Sequence, residues 1–226
     1  MRITDLDILE AIRDRASVRA FLDKPVSRDL IHQILDTARW APSGANTQPW
    51  QVAVVAGKTK QQLGDALAEA RSSRQPDNPD YKYYAKPFSE IYRVRQMACG
   101  FALYGALGIE RRDKAARRAQ WLKNYYGFGA PVEIMFFIDK ALKKGSWIDM
   151  GMFIQNVMLV ARGLELETCP QASFAEYPDI VREILGLPES MMVVCGMAVG
   201  YADYDHPVNN YRTEREVVEN FTQWFE

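Results

Sequence analysis

The chain has 226 residues, 48% hydrophobic and 25% charged, which suits one folded domain able to bury a sizeable core. Its formal net charge of −1 gives no general electrostatic reason to bind nucleic acid or a membrane surface. Cys99, Cys169 and Cys195 lie far apart, with no CxxC, which argues for reduced thiols in a cytoplasmic setting and against a disulfide framework or structural zinc.

In chain order, Leu6, Ile8, Leu9 and Ile12 recur on a helical period over residues 4–14, with Thr4 as the expected N-cap. Asp5, Asp7 and Glu10 in the same stretch exclude a secretory apolar region, and no later run is long enough to cross a membrane. Arg15-Ala16-Ser17-Val18-Arg19 follows. Two arginines and a hydroxyl in five residues make either an anion clamp or a solvated helix end, because arginine carries a planar fork of donors and also complements the helix dipole.

Ser27 opens a second helix, whose apolar stripe is Leu30, Ile31, Ile34, Leu35 and Ala38; His32 faces away from it. Pro42-Ser43-Gly44-Ala45-Asn46-Thr47-Gln48-Pro49-Trp50 then connects this helix to the strand Val52–Val55. Prolines and a glycine fix the loop, and its polar side chains offer donors and acceptors together. A planar heterocycle needs that mixture, and an ordinary turn that caps its own backbone uses it too.

Lys58–Arg71 reads as an amphipathic helix, broken by Gln75-Pro76-Asp77-Asn78-Pro79. Tyr81, Tyr83, Tyr84, Phe88 and Tyr92 come next, either as a lid that stacks on a flat ligand or as anchors for the loop. Residues 72–128 therefore form a lid or helical excursion within a single 1–226 domain, with helices expected over Ser89–Leu107 and, in a charge-rich solvated stretch, Glu110–Lys123.

Val132–Ile138 and Met191–Val199 are short and apolar, as central strands are. Between them Asp149 is expected to cap a helix that Gly163 ends, followed by a small, polar loop Cys169-Pro170-Gln171-Ala172-Ser173-Phe174 and a short helix from Pro178 to Leu187. Beyond Asn209, Asn210, Tyr211, Arg212 and Arg215, a last helix is expected to end in Phe221, Trp224 and Phe225.

GxGxxG, Walker A and GxSxG patterns are all missing, and the two histidines lack a nearby nucleophile. Mainstream hydrolase, kinase and zinc chemistry is thereby disfavoured. An early anion clamp, two amide-bearing loops and late arginines are left, and one ligand with a phosphate, a polar chain and a planar ring would use all of them. FMN has these parts.

Arg15–Arg19, Pro42–Trp50, the Asp149–Gly163 helix and Arg212, in that order, resemble the FMN-dependent nitroreductase superfamily across nearly the whole chain; its iodotyrosine deiodinase branch is similar across them. The resemblance implies an α+β fold with a central mixed β-sheet flanked by helices, and an intertwined homodimer with FMN at its interface. It implies that Arg15, Ser17 and Arg212 hold the phosphate, that Arg19 faces the N1/O2 edge, and that Ala16 contributes main chain. Pro42, Ser43, Gly44, Asn46 and Gln48 would reach the flavin from the other subunit, and Pro170, Gln171 and Ala172 would line its N5 side. Ala45, Tyr84, Phe88 and Tyr92 are the expected substrate contacts.

The implied activity is ping-pong reduction of a small nitroaromatic acceptor to nitroso and hydroxylamine products, with NADH or NADPH as donor. No side chain is assigned as a catalytic acid or base, and no metal is required. Alternatives on the same scaffold are reductive dehalogenation, quinone reduction and FMN binding without turnover. Residues 71–95 hold no counterpart of the deiodinase's Glu-Tyr-Lys substrate clamp, which speaks against dehalogenation of iodotyrosine.

Overall fold

The computed structural model describes residues 7–84 and 87–226; Thr4 and Leu6, expected in the first helix, lie outside the described residues. Helix α1 (Ile8–Asp14) follows Asp7, and of its residues only Ala11 is buried. Ile8, Leu9 and Ile12 face outward, so the apolar period here does not point into this chain's own core.

Helix α2 (Arg28–Ala38) starts where its cap dictates, with Ser27 Oγ accepting from the Leu30 N–H at 3.2 Å. Its buried Leu30, Ile31, Ile34 and Ala38 pack on α6 (Lys144–Gly163), whose Met150, Phe153, Val157 and Ala161 are buried in the same core. Three further elements follow α2: strand β1 (Gln51–Ala56), helix α3 (Gly57–Ser72) and helix α4 (Glu90–Ala106). The chain continues through α5 (Lys114–Leu122), β2 (Val132–Asp139), α6, β3 (Glu167–Gln171), α7 (Pro178–Leu185) and β4 (Met191–Gly200).

The strands form one sheet in the order β1-β2-β4-β3, with every neighbouring pair antiparallel. The sheet is thus antiparallel in its named strands rather than mixed; the parallel pairing among the described residues is an isolated bridge from Ser17 to Thr168 on the edge of β3. Alternation along β2 sends Ile134, Phe136 and Ile138 into the core under α2 and α6, and Met135 and Phe137 into a second core under α3 and α7. Both faces are covered, which is why β4 and, apart from Glu133 and its last residue Asp139, β2 read as apolar runs.

Several expected boundaries move. Helix α6 begins at Lys144, so Asp149 lies inside it and caps nothing at its start. Gly163 is the helix's last residue rather than the residue after it, and the left-handed step comes at Glu165, φ 62°. Cys169, Pro170 and Gln171 belong to strand β3, with a 3-10 turn Ala172–Glu176 after it. The C-terminal aromatics form no helix: a short turn, Val218–Asn220, precedes exposed Phe221, Trp224 and Phe225.

The excursion between α3 and β2 is tied to the body at both ends. Arg182 pairs with Asp80 at 2.6 Å, and Tyr81 Oη donates to the Val194 carbonyl at 2.6 Å. At the far end Tyr125 is buried and stacks edge-on against Phe174. Helix α4 between them buries none of its side chains and exposes Ile91, Tyr92, Val94, Met97 and Phe101. Helix α1 and the C-terminal aromatics expose further large apolar side chains. No helix among the described residues is long and apolar enough to cross a membrane.

Candidate cofactor site

Residues 15–19 leave α1 in extended form. Val18 donates its N–H to the Thr168 carbonyl at 3.0 Å, beside the Ser17–Thr168 bridge, so this segment extends the sheet past β3. Alternation then buries Val18 and turns Arg15, Ser17 and Arg19 to the opposite side. Asn209, which lines the same cavity as these residues, holds the segment: its Oδ1 accepts from the Arg19 N–H, and its amide donates to the carbonyls of Ala20 and Asp203, at 2.7–2.8 Å. Sequence reasoning noticed Asn209 only as a polar tail residue. The first asparagine of Asn209-Asn210-Tyr211-Arg212 carries no local signal that it binds backbone 190 positions away.

Arg212 arrives from that tail and donates to the Arg15 carbonyl at 3.2 Å and the Asp14 carbonyl at 2.5 Å. Arg19 donates to the Ser17 carbonyl at 3.1 Å and to Tyr211 Oη at 3.2 Å. Arg15, Ala16, Ser17, Arg19 and Arg212 all line one cavity of about 770 Å³, which Arg13 and Arg215 also border. Burial holds the Arg15 pKa below its ordinary value, and the nearby charges of Arg215 and Arg212 push the same way. Glu167 opposes this from behind, but its own carboxylate is committed to Arg162 and to Tyr204 Oη, the latter at 2.9 Å. The cavity therefore carries more positive than negative charge, which an anion would relieve. A flavin phosphate at Arg15, Ser17 and Arg212, with the ring toward Arg19, fits this donor set.

The second expected cluster lies apart from that cavity. Pro42, Ser43, Gly44, Ala45, Asn46 and Gln48 form a loop docked on α6, where the Asp149 carboxylate accepts from the Gly44 N–H at 3.3 Å. Ser43 Oγ accepts from the Gln48 N–H at 3.0 Å, and the Gln48 amide donates to the Asn46 carbonyl at 3.1 Å. Ala45, Asn46 and Gln48 all hold positive φ, at 49°, 56° and 48°. Such backbone is costly for residues other than glycine and persists where its surroundings enforce it. The loop is largely exposed and preset, with polar groups facing outward.

Pro170, Gln171 and Ala172 line a further cavity of about 830 Å³, together with Tyr83 and Tyr84. The Gln171 side chain is spent on the fold: its amide donates to the Asn124 carbonyl, and its Oε1 accepts from the Ala198 N–H at 3.0 Å. What this turn can offer a ligand is backbone and small apolar surface. Tyr84 packs edge-on against Phe88 with ring centroids 5.5 Å apart, whereas Tyr92 sits exposed on α4. Cys169 beneath the turn is buried, and burial pushes its thiol up to about 11, too high for a reactive thiolate at neutral pH. His206 is used as a cap, Nδ1 accepting from the Val208 N–H at 3.2 Å.

A helix-covered antiparallel sheet with an arginine-lined cavity beyond β3 defines an α+β class of protein with room and charge for an anion. The chain belongs to the Nitroreductase family, whose model matches residues 12–201. It is 42% identical over 222 residues to a 4-nitrobenzoate reductase from Pseudomonas putida, covering 98% of this chain and 96% of that protein. Among solved structures it resembles the FMN and NADPH-dependent nitroreductase NfnB from Sphigopyxis sp. strain HMH, with TM-score 0.95 and 40% identity over 98% of this chain and 100% of that one. The FMN-dependent nitroreductase NfnB from Mycobacterium smegmatis, solved in complex with NADPH, matches with TM-score 0.91 and 31% identity, covering 97% of this chain and 100% of that one.

Proposed function

We propose that this protein is an FMN-dependent oxidoreductase that takes hydride from NADPH or NADH and reduces nitroaromatic compounds by a ping-pong route. The overall step converts a nitro group, NAD(P)H and a proton into a nitroso group, NAD(P)⁺ and water; a second equivalent gives the hydroxylamine. FMN, when bound, supplies the hydride-accepting and hydride-donating centre. The chain supplies orientation and charge. Arg15, Ser17 and Arg212 grip the phosphate, and Arg19 with the Ala16 backbone stabilises negative charge at the pyrimidine edge. The Pro170–Ala172 turn backs the reacting face, and no side chain need act as acid or base.

The observation that carries this reading is the cavity in which arginines from opposite ends of the chain converge with charge to spare. The site is completed in a homodimer. The preset 42–48 loop faces outward from its own chain, so Pro42, Ser43, Gly44, Asn46 and Gln48 serve the flavin of a second copy. Bare apolar surface on α1, α4 and the C-terminal tail gives that copy a seat. The acceptor is a small aromatic lying against Tyr84, Phe88 and Tyr92, with Ala45 from the second copy. A cytoplasmic setting agrees with three free cysteines.

The test is direct. Purified protein should be yellow with a flavin spectrum; under anaerobic conditions NADPH or NADH should bleach it in one stoichiometric step, and further oxidation of the dinucleotide should require 4-nitrobenzoate or another nitroaromatic. A colourless preparation that stays empty in excess FMN would end this reading, and a yellow one inert to both dinucleotides would leave only FMN binding.

A further inference from the structure

Strand β4 falls out of step with β2 at one point. Phe136 faces Cys195 and Phe137 faces Val193, so Val194 is an extra residue without a partner, a β-bulge. On the other side of β4, strand β3 pairs with it only from Gly196 to Gly200. The backbone at the bulge is taken by the start of the aromatic stretch: Asp80 Oδ2 accepts from the Val193 N–H at 3.2 Å, and Tyr81 Oη donates to the Val194 carbonyl at 2.6 Å. The same carboxylate pairs with Arg182 at 2.6 Å, both side chains being 8% exposed, and Lys140 stands 3.3 Å from its other oxygen. A buried ion pair returns little net stability once desolvation is counted, and fixing a geometry is its better-attested use.

The geometry fixed here is the path of the chain into Tyr83 and Tyr84, which line the 830 Å³ cavity together with Pro170, Gln171 and Ala172. Upstream, Asn78 donates its N–H to the Glu176 carbonyl at 3.1 Å and Tyr177 Oη donates to the Gln75 carbonyl at 3.0 Å, so the two walls of that cavity are fastened to each other as well as to β4. Tyr81 packs edge-on against Trp147, and Tyr83 edge-on against Tyr84, each with ring centroids 4.6 Å apart. Yet Tyr83 and Tyr84 are themselves 58% and 52% exposed. Two bare rings on so firmly tied a backbone are preorganised for a flat ligand, because little freedom is left to lose on binding.

We propose that Asp80 is a positioning residue for the reaction: through its grip on Arg182 and the β4 bulge it holds Tyr83 and Tyr84 where they take up the aromatic acceptor. This rests on the nitroaromatic-reducing reading above. Asp80 itself touches neither acceptor nor cofactor, and it acts on affinity for the acceptor rather than on the chemical step.

The experiment uses the FMN-loaded protein, with 4-nitrobenzoate as acceptor in turnover and as ligand in calorimetric titration of the oxidised form. Asp80→Asn keeps an acceptor for the Val193 N–H and removes the charge that faces Arg182; Asp80→Asn/Arg182→Gln removes both charges, so that no guanidinium is left buried without its partner. Both variants should raise KM and Kd for 4-nitrobenzoate by about fivefold to tenfold, the effect of misplacing one or two aromatic contacts, while kcat and FMN affinity stay within about twofold. Tyr81→Phe loses only the hydroxyl's grip on the bulge; it should move the same constants by a smaller factor, and it carries the test where the charge variants fold poorly. A double-variant cycle separates positioning from general support. Tyr83→Ala/Tyr84→Ala should weaken binding at least as much, and adding Asp80→Asn or Tyr81→Phe to it should change Kd no further than about twofold. Additive losses, an unmoved Kd at lowered Tm, or FMN lost in step with 4-nitrobenzoate each overturn the proposal and leave Asp80 a support of the fold. A wild type that binds 4-nitrobenzoate but turns over no acceptor refutes the reading above, and the titration cycle still decides what Asp80 does.

Discussion

Arg212 is clasped to Arg15 from 197 positions away, its guanidinium donating to the Arg15 carbonyl at 3.2 Å. One arginine thus holds the backbone of another, and both side chains border the same cavity. Because the clasp uses only part of the guanidinium, other N–H groups are left for a phosphate. Arg212→Ala should therefore weaken FMN binding by about tenfold to a hundredfold, the range for losing a charge-assisted hydrogen bond worth about 1.5–3 kcal/mol. Arg212→Lys should recover only part of this, since an ammonium cannot reach two carbonyls and a phosphate in one plane. Fluorescence titration of the apoprotein with FMN measures both; unchanged affinity in the alanine variant would remove Arg212 from the cradle.

Arg19 is expected to act on the flavin's energetics more than on its retention. Its guanidinium rests on the Ser17 carbonyl and Tyr211 Oη, both neutral acceptors, so its charge is not cancelled by a direct ion pair. Arg19→Ala should shift the two-electron potential of bound FMN to more negative values by about 30 mV for each 1.4 kcal/mol of lost anion stabilisation. Spectroelectrochemistry on the loaded protein reads this, and Arg19→Lys should lie between the two. An unmoved potential would show that Arg19 lies away from the reduced ring's charge.

How much of this could be read from residues alone depends on whether a signal is local. Strands β2 and β4 were legible because both faces are covered, leaving apolar runs that only Glu133 interrupts before Asp139 ends β2. Strand β3 was hidden: it is a short edge strand whose Glu167 and Pro170 look like loop residues, and proline is tolerated there because an edge need not donate. The start of α6 was hidden by Gly145 and Ser146, poor helix formers that tertiary packing overrides. Phe221, Trp224 and Phe225 suggested a helix, but all three are exposed. In the site, the Arg15–Arg19 clamp and Arg212 were legible by residue type. Asn209 was not, since its role consists of hydrogen bonds to distant backbone.

Asn209 is the next test. Its side chain makes three hydrogen bonds that bind the tail to the Arg19–Ala20 backbone and to Asp203. Asn209→Ala should cost about 2 kcal/mol or more in stability, because the abandoned Arg19 N–H and the carbonyls are partly buried. FMN affinity should fall with it, although Asn209 need not touch the cofactor. Asn209→Asp keeps the acceptor for Arg19 N–H but loses both donations, so it should be at least as unstable. Thermal melts of apo and loaded forms separate the effects: a variant that melts early yet binds FMN as wild type would confine Asn209 to the fold.

The last prediction concerns Glu133, on the β2 face turned toward α3. It is about 1% exposed, and neither carboxyl oxygen has a hydrogen-bond partner among the described residues. Glycines make room for it: a Cβ on Gly127 would meet its Oε2 at 2.6 Å, and one on Gly196 its Oε1 at 2.8 Å. Burial pushes its pKa well above the ordinary carboxylate range, with Lys60 and the Met197 backbone pulling the other way. Lys60 gives its ammonium to the Tyr126 carbonyl at 2.7 Å, and burial lowers its pKa in turn. Between the unfolded and folded pKa of Glu133 the native state keeps a proton that the unfolded chain has released. Stability must then fall as pH rises from about 4.3, by about 1.4 kcal/mol per pH unit, and level off above the folded pKa. Glu133→Gln keeps the shape, removes the titration and should flatten that slope. Its Tm should match wild type near pH 4.5 and exceed it at pH 7–8. Denaturation curves across pH 4–8 decide it: parallel slopes in the two proteins would mean that Glu133 is ionised in the fold, held by Lys60 as a buried ion pair.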